Sequence, residues 1–140
     1  MKHAQAQRIY QEAILLAREY GAVQYDDEDG RWVCIERFPL PSGWDRGITE
    51  LLLVLPDGYP HLPPDGFYVD RYLRTRRGHR IDHYFEERGH LNPYADRGWG
   101  WYCIHLKPGT WRPTSNVVYG DNLAKLAAMI RAILSRAAAD

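Results

Sequence analysis

Apolar residues recur every three or four positions near both ends of the chain. Over residues 4–20 they line up as one helical face, which predicts an amphipathic helix that ends at Gly21. A second stripe over residues 121–138 predicts a C-terminal helix, with Asp121 or Asn122 placed to cap its first turn. The simplest role for both stripes is to pack the two helices against a sheet.

Four shorter runs between these helices have the composition of β-strands. Residues 22–25 and 31–38 flank an acidic run that ends at Gly30, as is typical of a turn between antiparallel strands. Residues 48–55 are almost continuously apolar, which predicts a central strand buried on both faces. Residues 66–69 are the fourth candidate. The pattern therefore predicts an α+β domain.

Residues 70–100 lack such periodicity and are rich in charge. The charged residues of this segment include Arg71, Arg74, Arg76, Arg77, Arg80, Asp82, Glu86 and Glu87. A segment this long is either a solvated insertion or a docking surface for an acidic or carboxy-terminal tail. The sequence leaves both alternatives open.

The composition mainly argues against particular classes of protein. The 140 residues carry 18 basic and 18 acidic side chains, and this zero net charge argues against a nucleic-acid binder held by electrostatics. The length fits a single domain over residues 1–140, without an apolar run that could span a membrane and without an apolar leader. We therefore expect a cytoplasmic protein that binds neither nucleic acid nor membrane, and whose two cysteines stay reduced.

Cys103 has surroundings suited to acyl-transfer chemistry. An acyl carrier needs an accessible thiol that is not too acidic, because a very acidic thiol is too good a leaving group. Only Lys107 adds a cation within four residues of Cys103. His105 faces the same side if the segment is extended, and is placed to assist proton transfer. The alternative for Cys103 is a buried structural thiol, which is the role we assign to Cys34.

Transfer from a thioester to an amine also needs hydrogen-bond donors aimed at the developing oxyanion. Asn92 is the first candidate and Asn116 the second. Gly98 and Gly100, just before the cysteine, would let a threaded peptide tail approach the main chain closely.

Two short strings are informative as a pair. One is Tyr-Pro-His-Leu-Pro-Pro at residues 59–64, and the other begins with Trp111, eight residues after Cys103, and ends with Pro113. Because prolines restrict the backbone, we expect the first string and Trp111 to be structural, with an X-Pro bond there as a candidate for the cis form. In this order, between two helices, the strings make the chain resemble the ubiquitin-conjugating enzyme superfamily, particularly its bacterial branch called prokaryotic family E.

The resemblance covers nearly the whole chain and implies a UBC-like fold: an N-terminal helix, a four-stranded antiparallel meander, an active-site loop and a C-terminal helix. It implies that Cys103 accepts a ubiquitin-like modifier from an activating enzyme as a thioester and passes it to an amine of a target protein, without cofactor or metal. The activating enzyme would contact the first helix through the face of Lys2, Gln5, Arg8 and Glu12. The bacterial branch also implies a role in anti-phage defence.

The chain departs from the family pattern at two points. In place of the family's His-Pro-Asn stands His-Leu-Asn-Pro at residues 90–93, which puts Asn92 eleven residues before Cys103. By the resemblance, Asn92 would hold the active-site loop and stabilise the oxyanion, with His83 or His105 in a related role. The acidic residue that the family supplies from its distal region has no evident counterpart.

Two other functions stay open. The chain could be a non-catalytic module that binds a ubiquitin-like protein, although a cysteine at the catalytic position argues against this. It could also be a zinc-dependent hydrolase, but no His-Glu-x-x-His motif supplies a general base. The candidate zinc ligands in that case are His79, His83, His90, Cys103 and His105.

Overall fold

The computed structural model describes residues 2–104, 106–107 and 109–139, and only the main chain of residues 2 and 3. Both helices and all four strands predicted from the pattern are present, with helix ends within two residues of the prediction. A short 3-10 helix, Ala95–Arg97, lies in the charged segment. The elements are α1 (Lys2–Tyr20), β1 (Val23–Tyr25), β2 (Trp32–Pro39), β3 (Ile48–Val54), β4 (Gly66–Asp70), β5 (Tyr84–Phe85), β6 (Trp99–Cys103) and α2 (Leu123–Ala139).

The sheet has six strands in the order β1-β2-β3-β4-β6-β5, and every neighbouring pair is antiparallel. The predicted four-stranded meander is therefore wrong in its strand count, although β1 to β4 do form a meander. Strand β6 pairs with β4 along its whole length, from Trp99 opposite Asp70 to Cys103 opposite Gly66. Cys103 ends this strand, because the glycine-interleaved aromatic run before it fits a half-buried sheet surface. Among the described residues after Cys103, no helix or strand precedes α2.

The two helices cover one face of this sheet, and the main core lies between the helices and the sheet. Their apolar stripes are buried, as predicted, and include the fully buried Ile9, Leu16, Leu126 and Ile130. Each such side chain stabilises the fold by about 1.5–3 kcal/mol. None of the described helices is long and apolar enough to cross a membrane.

The prediction that β3 is buried on both faces is wrong, because only one of its faces is buried. Leu51 and Leu53 are fully buried in the core, whereas Glu50 is exposed and Leu52 is half-buried. The alternation arises because the helices cover only one side of the sheet, so the run of leucines also places side chains on the outer face.

Glu12 links α1 to α2 and to the loop before β4. Its Oε1 accepts a hydrogen bond from the Leu123 N–H at 2.6 Å, at the start of α2. Its Oε2 accepts bonds from the Tyr59 hydroxyl at 2.6 Å and from Arg8 Nε at 2.9 Å. The carboxylate is fully buried, and these three donors replace the water that it loses.

The docking face expected on α1 changes accordingly. Glu12 cannot be part of it because it is buried, and Arg8 and Gln5 both bond inward to main-chain carbonyls. The side chain of Lys2 lies outside the described part of the chain. The exposed surface of α1 instead includes the apolar ring of Tyr10.

Candidate active site

Cys103 is the last residue of β6, and its thiol is half-buried. The Cys103 N–H donates to the carbonyl of His83 at 2.9 Å, which fixes the end of the strand. Because side chains alternate along a strand, Tyr102 points into the core while Cys103 and Trp101 share the outer face of the sheet. The thiol thus lies at a strand end that a second molecule can approach.

Asp65 is the charged group that acts on this thiol. Its carbonyl accepts the Ile104 N–H at 2.9 Å, and the next residue, Gly66, lies directly opposite Cys103 in the sheet. Its carboxylate is exposed. Burial, and then the negative charge of Asp65, raise the pKa of the Cys103 thiol above its ordinary value. Sequence reasoning missed Asp65, although it directly follows the string at residues 59–64.

Cys34 differs from Cys103 in exposure and in environment. It is buried, as predicted, but on the outer face of the sheet rather than in the main core, with its Sγ 3.9 Å from a carboxylate oxygen of Glu50. Burial first, and then the charges of Glu50 and Glu36, raise the pKa of Cys34 to about 12. Neither cysteine is in a disulfide. Cys103 is therefore the more exposed of the two thiols.

The two strings that carried the resemblance lie against each other in the structure. Trp111 Nε1 donates to the carbonyl of Pro60 at 2.7 Å, and its ring lies 6.4 Å from the ring of Tyr59. The Tyr59–Pro60 peptide bond is cis, as expected for one X-Pro bond of this string. The predicted structural role of Trp111 is confirmed by this contact, which joins the chain after Cys103 to the string before β4.

Asn92 is fully buried at the base of the segment that folds over the outer face of the sheet. Its Nδ2 donates to the carbonyls of Phe85 and Trp99, both at 2.9 Å, so it ties the end of β5 to the start of β6. Trp99 lies four residues before Cys103, about 13 Å away along the strand. This geometry supports the loop-holding role of Asn92 and gives no support to the oxyanion role.

The two glycines expected to admit a peptide tail have other roles. Gly98 has φ 93° and ends the short 3-10 helix, in a conformation that favours glycine. At Gly100 a Cβ would lie 2.2 Å from the Tyr84 hydroxyl, so its missing side chain makes room for that ring. Gly66 serves in the same way, since a Cβ there would lie 2.4 Å from the indole of Trp101. These positions pack the sheet tightly around β6.

A groove of about 610 Å³ is lined by Gly66, the residue opposite Cys103 in the sheet, and by Trp101 of β6. Leu62, Pro63 and Leu91 also line it. Asp65 lines the groove as well. An extended peptide or a side chain that reaches the thiol from this face would pass over a mainly apolar surface.

The histidines considered as zinc ligands do not form such a site where they are described. Among residues 2–104, 106–107 and 109–139, no three histidine, cysteine, aspartate or glutamate side chains come together in a way that could hold a metal ion. His105 lies outside the described residues, and its role in proton transfer stays a prediction.

Comparison with known proteins adds one finding. The family model described as "Prokaryotic E2 family E" matches residues 11–137, a span that includes both strings and both cysteines. No curated protein and no solved structure matches the chain.

Proposed function

Because the chain belongs to prokaryotic E2 family E, an E2-like family of ubiquitin-like conjugation systems, we propose that it is a conjugating transferase whose Cys103 carries the modifier as a thioester. The observation that carries this proposal is the contrast between the two thiols. Cys103 is half-buried at a strand end, whereas Cys34 is buried with a pKa of about 12. Only Cys103 is therefore suited to exchange an acyl group with another protein.

The proposed reaction has two acyl transfers. In the first, the Cys103 thiolate attacks the thioester carbonyl between the modifier and the activating enzyme, and the activating enzyme's thiolate leaves. In the second, a neutral amine of the target attacks the Cys103 thioester, an amide bond forms and the Cys103 thiolate leaves. The amine loses one proton overall, and neither step needs an oxidant or a reductant.

The raised pKa of Cys103 suits a carrier that must hold its cargo before delivery. A thiol with a higher pKa is a poorer leaving group, so its thioester is released more slowly to water and to stray amines. The same thiol is a strong nucleophile once it is deprotonated, so charging is favoured when a partner supplies a good leaving thiolate.

Asp65 provides the second transfer with a carboxylate that had not been identified from the sequence. Its exposed carboxylate lies next to Cys103, where it attracts a protonated amine and stabilises the positive charge that develops on nitrogen during attack. We assign to Asp65 the place of the acidic residue that the family takes from its distal region. Asn92 is in this proposal a positioning residue that holds β5 and β6 together.

A charging assay tests the carrier proposal. The protein is mixed with its cognate activating enzyme, modifier and ATP, and the products are separated on gels with and without added thiol. We expect a thiol-sensitive adduct that persists in Cys34→Ala and is lost in Cys103→Ala. Cys103→Ser is the matched variant, since an oxygen ester on serine resists the thiol that cleaves the wild-type adduct.

The absence of an adduct in this assay would also be informative. If a folded protein forms no adduct with an activating enzyme that demonstrably forms its own thioester, the carrier proposal is wrong. A non-covalent complex with the modifier under the same conditions would then identify the chain as a binding module.

The proposal extends to anti-phage defence through the bacterial branch that the chain resembles. Cells that carry the whole conjugation system with Cys103→Ala should plate phage as efficiently as cells without the system. Equal protection by wild type and Cys103→Ala would separate any defence role from thioester chemistry.

A further inference from the structure

A second cleft runs beside the open edge of the sheet, next to β5, and has a polar lining. It has a volume of about 460 Å³ and lies between residues 79–83 and the last two turns of α2. We call this cleft the edge trough. Its wall on the sheet side is Tyr102, and its wall on the helix side includes Arg136.

The edge trough is lined by more positive than negative charge. Arg80 and Arg136 contribute guanidinium groups, His79 and His83 contribute imidazole rings, and Asp82 contributes one carboxylate. The trough adjoins a smaller pocket that two further arginines line, Arg76 and Arg77.

Little of the charge of Arg80 and Arg136 is neutralised within the described part of the chain. Glu86 lies 3.9 Å from Arg80, but it is already bound by two hydrogen bonds from Arg74. Among the described residues, no carboxylate lies within ion-pair distance of Arg136. The arginines of the trough are therefore able to bind an external carboxylate.

The trough ends at the residues that hold Cys103. His83 lines it and accepts the Cys103 N–H at 2.9 Å, and Tyr102 precedes the cysteine in β6. Burial raises the pKa of the Tyr102 hydroxyl, Arg136 lowers it and Asp82 raises it, so both charges lie within electrostatic reach of this ring. A chain that lay in the trough would reach the end of β6 on the side of Tyr102, and its last residue would pass that strand end to meet the thiol on the outer face.

We propose that the edge trough seats an acidic, extended segment of the modifier, just upstream of the carboxy-terminal residue that is joined to Cys103. The inference rests on the proposed function, since only an acyl carrier needs a partner's carboxy terminus at this thiol. Charge complementarity selects the occupant, because carboxylates match Arg80 and Arg136 in the trough. A target lysine is directed to the opposite side, where the acidic Asp65 lies.

A competition between synthetic peptide thioesters tests the trough without any partner protein. Three peptides share a carboxy-terminal glycine thioester with the same neutral leaving thiol, and differ only in two upstream residues, which are Glu, Gln or Lys. Equimolar pairs are added to the full-length Cys34→Ala protein, and acylation of Cys103 is read by intact mass. Cys103→Ala reports any acylation elsewhere.

We expect the Glu peptide to acylate Cys103 about two- to fivefold faster than the Gln peptide, and the Lys peptide to be the slowest. The preference should disappear in about 1 M salt, where the Debye length is only about 3 Å. Arg80→Gln and Arg136→Gln should each reduce the ratio of the Glu-peptide rate to the Gln-peptide rate. Arg18→Gln, at an exposed position near the end of α1, is the matched control and should leave the preference intact.

The outcomes separate this inference from the carrier proposal. Acylation of Cys103 by all three peptides at equal rates, or fastest by the Lys peptide, would overturn the acidic tail and leave the carrier intact. If the preference for the Glu peptide survives in both arginine variants, the acidic residues are recognised elsewhere, and the trough proposal is overturned. If no peptide acylates Cys103 while small alkylating reagents do, the carrier proposal fails together with the trough.

Discussion

Cys103 and Asp65 show how a single neighbouring charge sets the behaviour of a thiol. A carboxylate beside a thiol disfavours the thiolate, so it raises the thiol pKa and lowers the reactive fraction at any pH below that pKa. The same carboxylate favours a cationic amine. One side chain thus slows the loss of the thioester to unselected nucleophiles and attracts the nucleophile that is meant to react.

Asp65→Asn should change these two properties in opposite directions. Removal of the negative charge lowers the pKa of Cys103, so iodoacetamide should alkylate it about two- to fivefold faster at pH 8. Discharge of the Cys103 thioester to free lysine should become slower, and it should slow more than discharge to hydroxylamine, whose amine is uncharged before it attacks. Asp57→Asn, an exposed acid in the same loop that pairs with Arg31, is the control. Slower alkylation in Asp65→Asn would contradict this account.

The two cysteines should also differ in their pH dependence. With a pKa of about 12, Cys34 should stay unmodified by iodoacetamide at pH 7 to 9, whereas Cys103 reacts increasingly as pH rises toward its own raised pKa. Peptide mapping after partial alkylation measures this order. Modification of Cys34 before Cys103 in the folded protein would show that the burial of Cys34 does not protect it.

At the scale of elements, the charged segment before β6 is an ordered cover rather than a loose insertion. Arg74 is bound to Glu86, Arg71 lies 3.7 Å from Glu87, and Asn92 joins β5 to β6. The sequence left open whether this segment is solvated or docks a tail. The structure shows that part of its charge is used internally. We propose that Arg80, which lines the edge trough, is available to a partner.

Asn92→Ala should loosen this cover without unfolding the protein. It leaves the carbonyls of Phe85 and Trp99 without their donor, and two such losses cost about 2–4 kcal/mol. Hydrogen exchange over residues 86–98 should become faster, and charging should fall as β6 becomes less fixed. Asp96→Asn, in the same segment but exposed, should leave exchange unchanged. A charging defect in Asn92→Ala with normal exchange would instead favour a direct oxyanion role.

At the scale of the whole molecule, a buried carboxylate connects the two ends of the chain to the active-site loops. Glu12 of α1 binds the first N–H of α2 and the hydroxyl of Tyr59, and Tyr59 packs beside Trp111. Negative charge at a helix N-terminus is favourable, and α2 receives it here from a distant element. Both strings of the resemblance are thus held by one buried residue.

Glu12→Gln should therefore lower global stability. The amide cannot accept all three hydrogen bonds and leaves Arg8 without its counter-charge, so we expect a loss of about 2–3 kcal/mol in the free energy of unfolding. Urea denaturation measures this loss, with Glu19→Gln on the exposed side of α1 as the control, expected within about 0.5 kcal/mol of wild type. A loss below about 1 kcal/mol in Glu12→Gln would show that the network can be replaced.

Sequence reasoning succeeded where the signal is local. The helices at residues 4–20 and 121–138, the four strands of the meander and the structural role of Trp111 follow from periodicity, proline chemistry and string order. It failed where partners are distant in sequence. The pairing of β6 with β4 was missed because the run around Gly100 has no alternation, and its fit depends on Tyr84 filling the space beside that glycine.

By itself, the sequence determined the α+β class, both helices and the family. It also identified two cysteines, of which one is the candidate reactive thiol. Hydrophobic periodicity and short strings are properties of neighbouring residues, so no folded structure is needed to recognise them. Only the tertiary structure decided which acid stands beside Cys103, that Asn92 and Glu12 are buried, and that Arg80 and Arg136 line one cleft. Burial and long-range Coulomb interactions depend on distances that arise only when the chain folds.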